Sequence, residues 1–212
     1  GWLVLFVMLS GCAPRGQLAV VPEAEGVGSV QRLLVASSRQ PLADGVDFGR
    51  EPGTGLSFAE FDVSVPPDRS LGTVTLPDPS RPDPRRDFLV VDTRRIDDGQ
   101  AFVRAVNTAL AAKPAGQKEV FVFVHGFNVS FEYALYRTAQ MAYDLGQDDM
   151  PFGTAFLYSW PSGGGVIGYG HDRESSTQAE PYLRDFLALV VKETGARVVI
   201  LFEGRDAAGK GG

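Results

Sequence analysis

The sequence is short of the residues from which many small sites are built. Its 212 residues include one cysteine, Cys12, so an intrachain disulfide framework is excluded. It has two histidines, and no serine follows Ser176, so the C-terminal stretch supplies neither group of a serine–histidine pair. The net charge is -6, and the clearest basic run, residues 81–86, is interrupted by Pro and Asp. Both features argue against a nucleic-acid partner.

What the sequence does contain is the composition of a globular domain. Hydrophobic residues make up 44% and charged residues 22%, which supplies enough apolar material for a core. The length allows one large domain, or one domain with appendages.

The N-terminus carries the pattern of a lipid-anchored secreted protein. The apolar run 2–9 is too short to cross a hydrocarbon core of roughly 30 Å as a helix, but it fits the apolar region of a secretory signal. The following Leu9-Ser10-Gly11-Cys12 resembles the lipobox of bacterial lipoproteins, in which the cysteine is freed by cleavage and lipidated. The alternative is a buried apolar strand that ends in an inert cysteine.

This resemblance predicts residues 1–12 as a partial lipoprotein signal peptide. Residues 13–31 are small, polar and Gly-rich, which predicts a linker. Neither Met nor a basic region precedes Trp2, so the start of the reading frame is expected to be missing. The expected location is the bacterial cell envelope, with the protein anchored in the membrane through a lipidated Cys12 and facing the periplasm or the exterior.

Beyond residue 31 the apolar pattern alternates between strands and helices. The unbroken apolar run 120–124 is typical of a strand covered on both faces, and Ser130 and Gly146 mark the two ends of an amphipathic helix. This alternation predicts an α/β fold, with a parallel sheet in three layers, helices on both faces, and an incomplete C-terminus. The stretch 45–55 is predicted as a Gly-rich loop. Predicted strands cover residues 32–36, 56–65, 88–91, 120–124, 155–158 and 198–202, and predicted helices cover residues 102–110, 131–145 and 183–191.

The cluster His125-Gly126-Phe127-Asn128 directly follows the predicted strand 120–124. Reactive loops of a parallel sheet lie at the carboxyl ends of its strands. A His-Gly pair there lets the backbone turn sharply and aim an amide N–H at the site, as in an oxyanion hole. Strand ends often carry such a pair, so the cluster alone is weak support for a site.

Two further clusters stand at comparable places. Trp160 and Ser162 follow the next predicted strand, and Asp172 and Arg173 come just before a predicted helix. Each has a structural interpretation beside the functional one. Trp160 packs, Ser162 begins a Gly-rich loop, and Asp172 stabilises the end of a helix.

In this order and spacing, the three clusters resemble a family of bacterial α/β-hydrolases of uncertain substrate, marked by HGFN, WPS and a Tyr-x-x-Asp-Arg-Glu segment. The resemblance assigns residues 32–196 to an α/β-hydrolase-like domain. It implies a serine esterase or lipase-like activity on a small-molecule ester, without metal or cofactor. His125 and Gly126 belong to the implied oxyanion-hole region, and the backbone of Phe127 helps to hold the oxyanion. The candidate pocket residues are Asn128, Trp160, Ser162, Asp172 and Arg173.

The sequence departs from the family where the catalytic serine is expected. The resemblance implies a serine in a His-Ser-x-Gly turn after the strand 198–202, near Gly204, followed by an acidic residue and a histidine. Glu203-Gly204-Arg205-Asp206 stands there instead, and both histidines precede it. The chain is therefore expected to be a truncated hydrolase without triad catalysis. Asp206 as the nucleophile is the alternative.

The last residues follow a different pattern. Gly204, Gly209 and Lys210 fit most of the P-loop pattern G-x-x-x-x-G-K-[ST], with Gly211 in place of the hydroxyl residue. The string VVILFEGRDAAGKGG also resembles the phosphate-binding loop of the second polyphosphate kinase family. That resemblance implies that Asp206 and Lys210 lie at positions that handle phosphate and metal.

Residues 197–212 are therefore interpreted as a P-loop-like tail, joined to the hydrolase-like domain by a fusion, a frameshift or an assembly error. The alternative function is nucleotide or polyphosphate binding, with ATP or polyphosphate and Mg as cofactors. A third is a non-catalytic envelope lipoprotein. Because the strands expected after the nucleophile are missing, one edge of the sheet is expected to be uncovered and to favour aggregation.

Overall fold

The structure is a computed structural model that describes residues 18, 20–43, 47–113, 119–146, 154–162 and 169–204, without the side chains of 169–174. Predicted site residue Cys12 lies outside this range. None of the described helices is long and apolar enough to cross a membrane. In chain order the elements are a 3-10 helix (Pro22–Gly26), β1 (Ser29–Pro41), β2 (Phe48–Val65), β3 (Leu89–Ile96), α1 (Gly99–Ala111), β4 (Glu119–Val124), α2 (Phe131–Leu145), β5 (Thr154–Ser159), α3 (Tyr169–Thr194) and β6 (Arg197–Phe202).

The six described strands form one sheet in the order β3-β2-β1-β5-β4-β6. The predicted α/β fold, with helices on both faces of the sheet, is confirmed. The prediction of a parallel sheet is correct for β1, β5, β4 and β6, but wrong for β2 and β3, which pair antiparallel. For β1 and β2 the reason is the short connection between them, which has no room for the crossover that a parallel pair needs.

The predicted loop 45–55 is also wrong from Phe48 onward, because β2 begins there. Its Gly and Pro residues coincide with irregular pairing against β1, where the register shifts on both sides of Arg39. A Cβ atom on Gly53 would lie 2.8 Å from the carbonyl oxygen of Arg39. Glycine therefore lets the two strands approach here, and the glycine content signals an irregular strand rather than a loop.

The sheet separates two apolar layers, as alternate residues of β1 demonstrate. Leu33 and Val35 belong to the cluster that contains the buried face of α2. Leu34 and Ala36 belong to the cluster that contains the buried residues of α1 and α3. All four are fully buried or nearly so, since successive side chains of a strand point to opposite faces.

Helix α2 was predicted closely, because its ends carry clear signals. The Ser130 hydroxyl accepts the backbone N–H of Tyr133 at 3.2 Å, and the helix ends at Leu145, directly before Gly146. Helix α3 was predicted less well, since it begins at Tyr169, well before Leu183. Its internal proline hid the helical pattern of the preceding residues.

Part of the predicted linker packs on the domain. The backbone N–H of Val21 donates to the carbonyl oxygen of Val90 at 2.8 Å. Ala24, in the 3-10 helix, is fully buried and packs with Leu89 and Val91 of β3. This segment therefore covers the β3 side of the sheet.

β6 is the other edge strand of the described sheet, and within that sheet it pairs only with β4. Val199, Leu201 and Phe202 are 58%, 44% and 59% exposed. An apolar strand with an unpaired edge is a template for association with other chains. The predicted uncovered edge is therefore present among the described residues.

We expect the Val199→Lys substitution to reduce self-association, because a lysine on an exposed edge strand opposes edge-to-edge pairing. Light scattering and sedimentation velocity of the purified chain would measure the effect. Leu71→Lys is the matched control, since Leu71 is 81% exposed in a loop away from the edge. A wild-type chain that stays monomeric at high concentration would contradict the prediction.

Candidate functional site

The carboxyl ends of the parallel strands gather the candidate residues at one edge of the sheet. β4 is followed by His125 and Gly126, β5 ends at Ser159 before Trp160, and β6 is followed by Glu203. Ligand sites of open α/β sheets lie at such ends. The fold therefore brings together two of the three clusters singled out from the sequence.

His125 and Trp160 join the loops that follow β4 and β5. Their rings stack, with centroids 5.3 Å apart and planes inclined by 13°. The Trp160 indole Nε1–H donates to the His125 carbonyl oxygen at 2.8 Å, and the Trp160 backbone N–H donates to His125 Nε2 at 3.2 Å. Both residues are almost fully buried, so the two loops form one rigid unit.

The surroundings of His125 keep its ring neutral. Burial, and after it the positive charge of Arg39, lowers the pKa of His125 to about 3. Nδ1 lies 2.9 Å from the carbonyl oxygen of Gly126 and carries the proton that it donates to it. Nε2 then accepts from the Trp160 backbone, which suits an unprotonated nitrogen.

Arg39 is a buried clamp for the loops, and its side chain is 1% exposed. Its Nη2 donates to the carbonyl oxygen of Val129 at 2.9 Å, which fixes the loop after β4. Its Nη1 donates to the carbonyl oxygens of Gly49 at 3.2 Å and Ser162 at 3.3 Å, which ties in β2 and the loop after β5. One guanidinium group thus holds three segments together.

Ser159 and His125 are close enough to resemble a nucleophile and its base, with Oγ and Nε2 3.0 Å apart. Three observations speak against that role. Ser159 is fully buried, its Oγ accepts from Arg39 Nε at 2.8 Å, and the lowered pKa makes His125 a weak base. We interpret the pair as part of the network that positions the loops.

Asn128 and Ser162 hold the loop after β4 in shape. Asn128 has a φ of 60°, a left-handed conformation that asparagine tolerates better than most residues. The Ser162 hydroxyl accepts the Val129 backbone N–H at 3.1 Å and is fully buried. Among the predicted pocket residues, these two therefore stabilise the loop after β4 and do not line the cavity beside Gly126.

Gly126 and Glu203 connect the loop after β4 to the end of β6. The Gly126 backbone N–H donates to Glu203 Oε2 at 3.1 Å. The Glu203 backbone N–H donates in turn to the Val124 carbonyl oxygen at 2.9 Å. A Cβ atom on Gly126 would lie 3.1 Å from the carbonyl oxygen of Gly204, so glycine permits this close approach.

A cavity of about 290 Å³ opens beside this contact. The predicted residues His125, Gly126, Phe127 and Trp160 line it, so the structure places them at one site. Sequence reasoning missed the contribution of α3, because the helix was predicted to start too late. The remaining lining residues are Val124, Tyr158, Ser176, Ala179, Glu180, Leu183, Phe202 and Glu203.

The remaining predicted site residues lie after β6 or in the first turns of α3. Gly204 is exposed after β6, whereas Asp206, Gly209 and Lys210 lie outside the described residues. Asp172 and Arg173 fall within the first turns of α3 rather than before a helix, and their side chains are likewise outside the described part. Among the residues whose side chains are described, no group of His, Cys, Asp and Glu is arranged to hold a metal ion.

Glu132, in the first turn of α2, is a buried carboxyl group close to the loop, with 8% of the residue exposed. Burial, and after it the Asp47 carboxylate, raises its pKa to about 7. The unfolded chain ionises at this position near pH 4.5. The contribution of the neutral Glu132 carboxyl group to the free energy of unfolding is therefore fully present below pH 4.5, and it is lost as the pH rises to about 7.

We expect Glu132→Gln to be more stable than the wild type by about 2 kcal/mol at pH 8, and equally stable near pH 4.5. Glutamine stays neutral at both pH values. Urea unfolding at the two pH values measures the difference, with Glu23→Gln on the exposed 3-10 helix as the control. Equal stability of Glu132→Gln and wild type at pH 8 would contradict the assignment.

Comparisons with known proteins gave the following matches. Residues 100–204 match the model of a family described as an alpha/beta hydrolase of unknown function (DUF900). Among curated proteins, a GDP-polyphosphate phosphotransferase of Pseudomonas aeruginosa is 91% identical over 22 residues, which is 10% of this chain and 6% of that protein. The chain thus spans a small fraction of that relative's length. No solved structure matches the chain.

Proposed function

With residues 100–204 matched to an α/β-hydrolase family, we propose that the cavity beside β4 is the acyl-binding site of a carboxylic-ester hydrolase fold. In this chain, the site binds an ester without turning it over by a serine triad. The proposal separates ester binding from ester hydrolysis, and the two are tested separately.

The contact between Gly126 and Glu203 carries the proposal. A backbone N–H at the end of β4 already donates to an anionic oxygen, Glu203 Oε2, at 3.1 Å. An oxyanion hole needs a donor of this kind, held in place before the charge develops. The buried stack of His125 and Trp160 makes the donor loop rigid, so the donor itself needs little reorganisation, whereas Glu203 has to leave the Gly126 N–H before an ester oxygen binds there.

The position after β6 supports the absence of triad turnover. The resemblance to α/β-hydrolases places the nucleophile near Gly204, where this chain has no hydroxyl group. Ser159, which is the serine in contact with His125, is buried and bonded to Arg39. Neither residue is suited to attack a carbonyl carbon in the cavity.

We expect ethyl hexanoate to bind saturably and to alter the fluorescence of Trp160, which lines the cavity. Trp2→Phe provides the background, because the chain has two tryptophans. Leu183→Arg, which introduces a bulky charge into the wall, is expected to weaken binding about tenfold. If no neutral ester binds, the proposed site is wrong. If the chain hydrolyses an ester in a serine-dependent reaction, the proposed lack of turnover is wrong.

A second candidate function is favoured by the match to the GDP-polyphosphate phosphotransferase and by the P-loop-like pattern that ends in Lys210. In this proposal Gly204, Asp206, Gly209 and Lys210 contact ATP or polyphosphate with Mg. Calorimetric titration with both ligands tests it, and Lys210→Ala should abolish any binding that is observed. Absence of heat with the unsubstituted chain would exclude this function.

A third candidate is a non-catalytic lipoprotein of the cell envelope, anchored through Cys12. The support is the lipobox-like Leu9-Ser10-Gly11-Cys12. Expression in a bacterium, followed by mass spectrometry of the membrane fraction, would detect a diacylglyceryl group on the cysteine. Recovery of the chain unmodified, at the same level as a Cys12→Ser variant, would exclude the anchor.

A further inference from the structure

The cavity carries an unbalanced charge among its described lining residues. Among the lining residues that the structure describes, the ionisable side chains are those of Glu180, Glu203, His125 and Tyr158, and none of them belongs to Lys or Arg. His125 is neutral, because its pKa is lowered to about 3. The phenol of Tyr158 is neutral as well, because burial raises its pKa to about 12. The two glutamates are therefore the acidic residues of the described wall, and no basic residue in it balances them.

Aromatic rings reinforce this preference. Phe127 and Trp160 meet edge to face, with centroids 5.3 Å apart and planes inclined by 74°. Both line the cavity together with Tyr158, and one face of the Trp160 ring is covered by His125 and one face of the Tyr158 ring by Phe186. The faces of such rings attract cations, and they attract a weakly hydrated cation most when water is excluded. The rings and the carboxylates thus favour the same ligand charge.

The remaining wall is apolar, with Val124, Ala179, Leu183 and Phe202 among its residues. A small hydrophilic cation would make no favourable contact with this apolar surface. An anionic ligand would be repelled by the Glu203 carboxylate, which already occupies the Gly126 N–H at 3.1 Å. A ligand that satisfies the whole wall has one positive group and a short apolar chain.

We propose that the cavity selects an ester whose alcohol or acyl part carries a quaternary ammonium group. This rests on the proposed ester-binding function and adds its substrate class. Glu180 and Glu203 determine the charge preference, and Trp160 and Phe127 contact the ammonium group. The apolar chain lies against Leu183 and Phe202.

The test compares three probes with the same chain: hexyltrimethylammonium, hexanol and hexyl sulfate. Each is titrated against the full chain with Trp2→Phe, with Trp160 fluorescence as the readout. We expect the cation to bind about tenfold more tightly than hexanol at low salt, and hexyl sulfate to bind most weakly. Added salt should reduce the preference for the cation.

Two substitutions identify the source of the preference. Glu203→Gln keeps an oxygen that accepts the Gly126 N–H, and it removes the charge. We expect it to weaken binding of the cation severalfold more than binding of hexanol. Glu180→Gln should act in the same direction, and Glu193→Gln, an exposed position on α3 outside the cavity, should have no effect.

The outcomes separate this inference from the proposed function. Equal binding of the cation and hexanol to the wild type would overturn the charge preference and leave the apolar site intact. A preference that survives both glutamate substitutions would overturn the assigned residues. If no probe binds, the ester-binding site itself is wrong, and the inference that rests on it is overturned as well.

Discussion

The Arg39→Met substitution is expected to lower the free energy of unfolding by about 3 kcal/mol or more. Arg39 is 1% exposed, and its guanidinium group donates to the carbonyl oxygens of Val129, Ser162 and Gly49. Methionine has a similar length but no donor, so these buried acceptors lose their partner. Urea unfolding followed by circular dichroism measures the loss.

Arg32→Met is the matched control, because Arg32 lies on the same strand, β1. Its guanidinium group bonds both carboxylate oxygens of Asp62 at 2.8 and 2.9 Å, but its side chain is 65% exposed. Exposed ion pairs contribute about 0–1 kcal/mol. If the two substitutions cost the same, Arg39 is not the clamp described above.

Substitution of Arg39 also has a consequence for the site. The loops after β4 and β5 lose a shared anchor, so the stack of His125 on Trp160 should loosen. We expect the fluorescence of Trp160 in the folded Arg39→Met variant to shift toward that of an exposed indole. Arg32→Met should leave the spectrum unchanged.

The second large effect is the pH dependence that His125 imposes. Its pKa is about 3 in the folded chain and near 6.5 in the unfolded chain. Only the unfolded chain binds the proton between these values, so the contribution is fully present above pH 6.5 and is lost as the pH falls to about 3. The expected loss is about 1.4 kcal/mol per pH unit.

The measurement is urea unfolding between pH 7 and 3.5, in a His171→Asn background that leaves His125 as the single histidine. Glu132 acts in the opposite direction between pH 4.5 and 7, because its pKa is raised. The Glu132→Gln substitution removes this opposing contribution. The full dependence of the free energy of unfolding on pH that His125 causes should then be measurable. His125→Asn should be less stable at pH 7 and should lose this part of the slope; an unchanged slope would contradict the assigned protonation state.

The local parts of the fold could be predicted from the sequence. The apolar run of β4 and the Ser130 cap of α2 follow from patterns within a few residues, and the helices on both faces follow from the alternation of strands and helices. The start of α3 and the extent of β2 could not be predicted in this way. Pro181 and the glycines of β2 are local breakers, and the surrounding contacts tolerate them in these elements.

The site was predictable only in part, for the same reason. His125, Gly126 and Trp160 stand in short motifs beside strand ends, so the motifs pointed to them. Arg39 forms its hydrogen bonds with residues up to 123 positions away, and nothing in the neighbouring sequence indicates those partners. Glu203 was noticed as a departure from a serine turn, but its bond to Gly126 emerges only when β6 is paired with β4.

The central claim is that this chain has a formed ester site without a working serine. The most direct test is intact-mass spectrometry after treatment with a fluorophosphonate, which modifies activated serines. The expected result is an unmodified chain at a reagent concentration that fully labels a serine esterase. A stoichiometric adduct on Ser159 would contradict the claim and would make the contact with His125 a catalytic pair.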